Sequence, residues 1–210
     1  MTSTVGQAPA GAAPPFILAS SSPRRLDLLR QIGLEPSAVV PADIDETPRA
    51  KELPGRLARR LARAKAERVA ALHPNALVLG ADCVVAAGRR ILPKAETEQE
   101  ARACLDLLSG KRHRVHAAIC AIAPDGRRAE RLVVTVVQFK RLTAAEIAGY
   151  LASGEWRGKA GGYAIQGCAA RFVRFLSGSY SAVVGLPLAE TAAVLAGLGH
   201  PLPWTVPTDC

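Results

Sequence analysis

Aromatic side chains are scarce in this chain: Phe, Trp and Tyr make up 4% of 210 residues, and there is one Met. Ala, Leu and Val must therefore build the interior. No cluster of aromatics offers the stacking platform used by RNA-binding and single-strand-binding modules. Cysteine is sparse and unpatterned. The five (Cys83, Cys104, Cys120, Cys168, Cys210) are odd in number and hold no Cys-x-x-Cys pair. That argues against a disulfide frame or a zinc site and for a reducing cytoplasm. No apolar stretch approaches the ~20 residues of a membrane span. Acidic residues are outnumbered, 18 against 27 Lys and Arg, for a net charge of +9. The excess favours an anionic partner, whether nucleotide, nucleic acid or acidic surface, without choosing among them. Residues 1–15 are rich in Ala, Gly, Pro, Ser and Thr, with neither a basic start nor a long apolar run. They read as a disordered tail and not as a signal peptide. Residues 16–199 then read as one domain, long enough to bury a sizeable core, and residues 200–210, with three prolines, as coil.

What is present begins with Phe16-Ile17-Leu18-Ala19, a short apolar strand. Ser20, Ser21 and Ser22 follow, and Pro23-Arg24-Arg25 opens an amphipathic helix. Ser22 is placed to cap that helix, and Pro23 sits at its first position, where a missing N–H costs nothing. Arg24 and Arg25 stand at the end of the helix dipole that disfavours cations. A strand, a hydroxyl-rich turn and a helix start with two guanidiniums make a phosphate site. An ordinary capped helix with solvated arginines accounts for the same stretch equally well.

Farther on, Asp43, Asp45 and Glu46 crowd one loop, as a solvated segment or a cluster facing metal and phosphate. Pro54 starts a helix to about Leu72, with Leu57, Leu61, Ala64, Val69 and Leu72 on one face at ~100° per residue. Lys65 projects within that apolar arc, either snorkelling to the helix edge or reaching into a cleft. Residues 77–85 read as the most buried strand, with Asp82 near its end. A buried carboxylate costs several kcal/mol unless it is paired or bound to a cation, which marks Asp82 as functional. Lys94 follows closely in sequence. A helix over about 96–108 and strands over 113–122 and 130–139, joined through Pro124-Asp125-Gly126, come next. His113 and His116 read as structural or surface residues. Thr143 caps a short helix. Five glycines over 154–167, accompanied by Lys159 and Gln166, suit a loop whose backbone approaches a ligand. A strand over 171–176 and a helix opened by Pro187 complete the chain. Alternating strands and helices interrupted by a hairpin imply an α/β fold, a mixed twisted sheet covered by helices.

Together these stretches resemble the Maf family, the septum-formation-inhibitor-like nucleotide pyrophosphatases, over roughly residues 17–198. The resemblance rests on Leu18-Ala19-Ser20 with Ser22-Pro23-Arg24-Arg25, Ile44-Asp45-Glu46, Arg60-Leu61-Ala62 with Lys65-Ala66, and Gly80-Ala81-Asp82. It continues in Leu108-Ser109-Gly110, Lys159-Ala160-Gly161-Gly162-Tyr163, Ile165-Gln166-Gly167 and Val183-Val184-Gly185-Leu186-Pro187. It implies an elongated, two-lobed fold about a central cleft, similar to the inosine triphosphate pyrophosphatases. It also implies cleavage of a nucleoside triphosphate to the monophosphate and pyrophosphate with a divalent cation, Mg²⁺ or Mn²⁺. Asp82 corresponds to the family's proton acceptor, and Arg24, Cys83 and Gln166 to positions that bear on base choice. The Lys159 and Ile165 blocks look like the branch acting on dTTP and UTP. Cys83 stands where that branch usually has Thr, and Ala95 where it has Pro.

The residue chemistry agrees. Asp82 and Glu46 are suited to hold the cation, with Asp82 also activating water, while Arg24, Lys65, Lys94 and Lys159 are suited to hold phosphates. Ser20, Ser22 and Arg25 complete the expected substrate site. The expected partner is the nucleotide, with no membrane and no stably bound nucleic acid; a homodimer is left open. Two other readings stand beside this one. The first is the same hydrolysis on a different or modified base. The second is a basic nucleic-acid-binding or division-regulating protein that uses the arginine-rich helix face over 56–68.

Overall fold

The computed structural model of the chain describes residues 13–203, so the tail expected over 1–15 lies outside the described residues up to residue 12, as does the coil beyond 203. In chain order the elements are β1 (Phe16–Ala19), α1 (Pro23–Gln31), β2 (Ala38–Val39), α2 (Pro54–Leu72) and β3 (Leu77–Ala87). Then come β4 (Arg90–Ile91), β5 (Lys94–Ala95), α3 (Glu98–Leu108), β6 (Arg112–Ile122) and β7 (Arg128–Phe139). Last are α4 (Ala144–Ser153), β8 (Lys159–Ala160), β9 (Val173–Ser177), α5 (Tyr180–Val184) and α6 (Leu188–Gly197).

The main sheet runs β2-β1-β3-β6-β7-β9, with β4 also paired to β3. It is mixed: β1 lies parallel to β2 and β3, and the remaining pairs are antiparallel. Helix α2 covers one face, where Leu57, Leu61, Val84 and Ala118 pack together. Helices α1 and α6 cover the other face around Leu28, Leu79, Ile119 and Leu195. A further core gathers α3, α4 and the ends of β6 and β7 around Phe139, Phe172 and Leu105. Among the described residues no helix is long and apolar enough to cross a membrane.

Several local expectations need correction. Strand β3 runs on to Ala87, so Asp82 lies in mid-strand, opposite Ala118, and not near a strand end. Ser22 occupies the cap position of α1, but its side chain makes no capping bond; its N–H instead donates to Ser20 Oγ at 3.1 Å. The strand expected from Arg171 begins at Val173, because residues Cys168–Phe172 wind into a 3₁₀ turn that drives Phe172 between the rings of Phe139 and Tyr150. Helix α5 was not anticipated. Five residues are too few to show a period, and it is started by Ser179 Oγ accepting from the Ala182 N–H at 3.2 Å.

Candidate active site

Strand β1 stops at Ala19, beside Gly80, and β4 takes up pairing with β3 only at Ala86. Between them one edge of β3 is left without a strand partner, and the chain after β1 turns across the gap through Ser20–Ser22. Both faces of β3 therefore meet a cleft there. Asp82 looks to the α2 side and Cys83 to the opposite side, as strand alternation requires. The cleft has a volume of about 330 Å³.

On the α2 side the distance is set by Gly80, two residues before Asp82 on the same face. A Cβ at Gly80 would lie 2.3 Å from Ala62 O and 2.6 Å from Ala66 N, so only glycine lets α2 sit this close. Lys65, one turn along that contact, is buried, and its ammonium donates to Asp82 Oδ1 at 2.7 Å and pairs with Glu46 Oε1 at 2.6 Å. The lysine neither snorkels to the helix edge nor stands free for phosphate: it bridges two carboxylates. Lys94 donates to Glu46 Oε2 from the other side. Burial raises the Glu46 pKa, but its bonds to Lys65 and Lys94 outweigh that and hold it at about 2. Of the acidic loop only Glu46 turns inward. Asp43 and Asp45 are exposed, and Asp45 Oδ1 accepts from the Thr47 N–H at 2.9 Å, a local turn that sets the alternation.

On the opposite side the floor is the C-terminal end of α5. Gly178 (φ 123°) passes 2.8 Å from Thr135 Oγ1 at its would-be Cβ, and the buried Thr135 hydroxyl bonds both the Ser179 carbonyl and the Ser179 N–H. This fixes α5 with its last carbonyls facing the serine turn, the negative end of a short helix dipole against arginines. Arg24 Nε donates to Val184 O at 3.3 Å. Arg25 Nε donates to Gly185 O at 3.0 Å, and its Nη1 to Ser20 Oγ at 2.8 Å. Arg25 is thus largely used in holding the turn, whereas both terminal nitrogens of Arg24 have no hydrogen-bond partner among the described residues. Burial, and then Arg25 beside it, lower the Arg24 pKa. The Cys83 thiol donates to Gly185 O at 3.3 Å, and burial raises its pKa.

The third wall is the glycine-rich segment. Strands β5 and β8 pair antiparallel, Lys94 opposite Ala160 and Ala95 opposite Lys159, and both lysines line the cleft. Burial, and then Arg24, lower the Lys159 pKa. Two of the glycines here are required by packing, whereas Gly158 lines the cleft with nothing within 4 Å of its would-be Cβ. A Cβ on Gly161 (φ 70°) would meet Val85 Cγ1 at 2.8 Å, and one on Gly162 (φ 68°) would meet Ala101 Cα at 3.1 Å. Tyr163 follows into the core, where its hydroxyl lies 2.8 Å from His113 Nε2. His113 is a core residue, and burial lowers its pKa to about 4. Gln166 is exposed at the rim.

All the residues expected at the site therefore line one cleft, Ser20, Ser22, Arg24, Arg25 and Cys83 on one wall, Glu46, Lys65, Asp82 and Lys94 on another, Lys159 and Gln166 on the third. Sequence reasoning missed Arg157, whose guanidinium sits 4.7 Å over the Trp156 ring at the cleft, and the α5 carbonyls. An arginine after a tryptophan carries no motif, and main-chain carbonyls leave no trace in side-chain patterns. Six cations face two carboxylates here, a balance suited to a polyanion.

A family model described as Maf-like protein matches residues 15–198. Curated proteins resemble the chain closely. A "dTTP/UTP pyrophosphatase" of Rhodospirillum rubrum is 66% identical over 89% of this chain and 89% of that protein. One of Paramagnetospirillum magneticum is 66% identical over 88% and 97%, and one of Caulobacter vibrioides 61% identical over 90% and 98%. Among solved structures, a nucleoside-triphosphatase / dITP/XTP pyrophosphatase from Mycobacterium abscessus overlaps 62% of this chain and 75% of that one. It does so at 14% identity and a TM-score of 0.41.

Proposed function

This chain belongs to the family of Maf-like proteins, and we propose that it hydrolyses dTTP and UTP to the nucleoside monophosphate and pyrophosphate. The observation that carries the chemistry is Lys65 joining Asp82 and Glu46 at the base of a cleft otherwise walled by cations. The pyrimidine choice is supported by the substrate names of relatives up to 66% identical.

Water adds to the α-phosphorus in line with the leaving group. Its proton passes to Asp82, and the α-phosphorus–bridging-oxygen bond breaks with its electron pair departing on pyrophosphate. Asp82 Oδ1 is engaged by Lys65, and among the described residues Oδ2 has no hydrogen-bond partner, which leaves it to take the proton. Arg24, Lys94, Arg157 and Lys159 hold the phosphates, each charged contact contributing roughly 1.5–3 kcal/mol. Lys65 and Glu46 position Asp82.

The donor set fits a divalent cation. Two carboxylates share one ammonium within 2.7 Å, so a single ion is within reach of both. Among the described residues no three His, Cys, Asp or Glu side chains gather as a cage. That suits Mg²⁺ or Mn²⁺, bound by one or two carboxylates together with substrate phosphates and water. Such an ion, held by Asp82 and Glu46, supplies neutralisation of the triphosphate charge. We place the protein in the cytoplasm, in keeping with Cys83, Cys104, Cys120 and Cys168 as free thiols.

The test is pyrophosphate release from a panel of nucleoside triphosphates, pyrimidine, purine and methylated, with Mg²⁺ or Mn²⁺. Turnover led by dTTP and UTP is expected. Turnover led by a purine nucleotide rejects the base assignment, and no turnover with any nucleotide rejects the activity.

A further inference from the structure

Helix α2 does not cover the whole of its side of the sheet. It starts at Pro54, where Gly55 rests against Leu132 and His116, and beyond that point β6, β7 and β9 show a face that no element of the described residues covers. Strand alternation and the register Arg114–Val136 and Gln138–Phe175 put Val134, Val136 and Phe175 on that face, while Val115, Val137 and Phe139 point into the core behind it. Val134 is 42% exposed and Phe175 43%, and Leu53 at the start of α2 is 37% exposed. Between α2 and the sheet the face deepens into a groove of about 420 Å³, with Leu53, Leu132 and Val134 in its wall.

The charges around it are all of one sign. Arg56 and Arg59 from α2, Arg89 from the β3–β4 turn and Arg114 from β6 line the groove, to which no Asp or Glu among the described residues contributes. Elsewhere several surface arginines are ion-paired: Arg30 with Glu35, Arg60 with Glu52, Arg63 with Glu130, Arg127 with Asp125 and Arg128 with Glu67. Others, such as Arg68, Arg131, Arg171 and Arg174, are not paired among the described residues, so what sets the groove apart is four arginines gathered around an apolar floor. The four groove arginines have no ion-pair partner among the described residues. Arg59 and Arg56 lie six and nine residues before Lys65 on α2, and none of the described residues lines both the groove and the cleft, so the groove is a second location and not a rim of the cleft.

From this we propose that the face is a docking surface for an acidic segment of another protein, carrying aliphatic side chains that fill the groove between the arginines. An isologous contact with a second copy would set these arginines against one another, which like-charge repulsion disfavours. A nucleic-acid backbone would satisfy the arginines but not the aliphatic floor, and no aromatic platform is present for bases. A carboxylate-rich segment with aliphatic anchors satisfies both.

The test uses the full chain and a fluorescein-labelled peptide of Glu and Asp bearing two leucines, followed by fluorescence anisotropy. The same peptide with serines for the leucines and a labelled single-stranded oligonucleotide are measured alongside. The leucine peptide is expected to bind best, and Arg56→Glu with Arg114→Glu should weaken it roughly tenfold or more. Arg171→Glu with Arg174→Glu, an equal charge change at exposed positions outside the groove, should leave it within about twofold. Val134→Ser should weaken the leucine peptide and not the serine one. Retained dTTP hydrolysis and melting temperature in each variant confirm that the fold survives. Equal loss in both double variants, equal affinity for the two peptides, preferential binding of the oligonucleotide, or no binding at all would overturn the proposal.

Discussion

Replacing Gly80 with alanine adds one methyl group and removes no functional atom, yet it should silence the site. The added Cβ would lie 2.3 Å from Ala62 O and 2.6 Å from Ala66 N, both backbone atoms of α2, where ordinary contact begins at 3.4 Å. Neither atom can swing aside, so the helix must retreat by on the order of 1 Å. Lys65 rides on the same stretch of helix, and its 2.7 Å bond to Asp82 would open past hydrogen-bond range. Overpacking of this kind costs about 1–3 kcal/mol, which in a domain of this size lowers Tm by roughly 2–12 °C. A 1 Å misplacement of the reacting groups should cost roughly 100-fold in kcat. Gly149→Ala is the control, because a Cβ there meets nothing within 4 Å and the residue is exposed inside α4. It should raise stability by about 0.5–1 kcal/mol and leave turnover unchanged. The measurements are thermal melting and steady-state pyrophosphate release on both variants. A Gly80→Ala protein with wild-type kcat would refute the claim that α2 placement controls the pair.

Asp82→Asn should keep the fold and lower kcat by ~10²–10⁴-fold, the usual cost of losing a general base; activity within a few fold of wild type would make Asp82 structural. Arg24→Ala should raise KM for the nucleotide more than it lowers Tm, since the side chain makes one bond, to Val184 O; a sharp drop in Tm with KM unchanged would overturn its phosphate role. Cys83→Thr restores a hydroxyl beside the α5 carbonyls and should change the ratio of kcat/KM between dTTP and UTP and the purine nucleotides by about two- to tenfold. An unchanged ratio with lowered Tm would leave Cys83 as packing. Glu46 has a folded pKa of about 2, below its ordinary 4.5, so its contribution to stability is complete above pH 4.5 and is lost as pH falls toward 2. His113, held near 4 against an ordinary 6.5, acts in the same direction between pH 6.5 and 4. Denaturation against pH should therefore show stability falling in two acid windows. Glu46→Gln should lessen the lower one, which Glu52 and Glu146, held at about 2 by Arg60 and Lys140, share. An unchanged slope there would show that the Glu46 ion pairs do not form.

Much of this protein is written locally. Pro54 and the spacing of Leu57, Leu61 and Val69 give the start of α2 and its buried face, because a missing N–H and an apolar stripe are properties of the helix alone. Pro124-Asp125-Gly126 defines the β6–β7 turn, and Thr143 caps α4 through the Glu146 N–H. The isolated acid in an apolar run marked Asp82, since an unpaired buried carboxylate is too costly to be incidental. What tertiary structure alone decided is how such residues meet. Lys65 lies on an apolar arc whether it snorkels or turns inward; Gly80, 15 residues later, lets α2 come close enough for it to reach Asp82. Three neighbouring acids look alike in sequence, and only the docking of their loop against Lys65 and Lys94 selects Glu46. The glycines of residues 161 and 162 could equally have faced a ligand or Val85 and Ala101. The five residues of α5 lack a period, and its carbonyls became the floor under Arg24, Arg25 and Cys83 through the distant hydroxyl of Thr135. Periodicity and capping act within a few residues. The cleft is made by contacts between segments up to 160 residues apart, and those depend on which faces the packed sheet leaves uncovered.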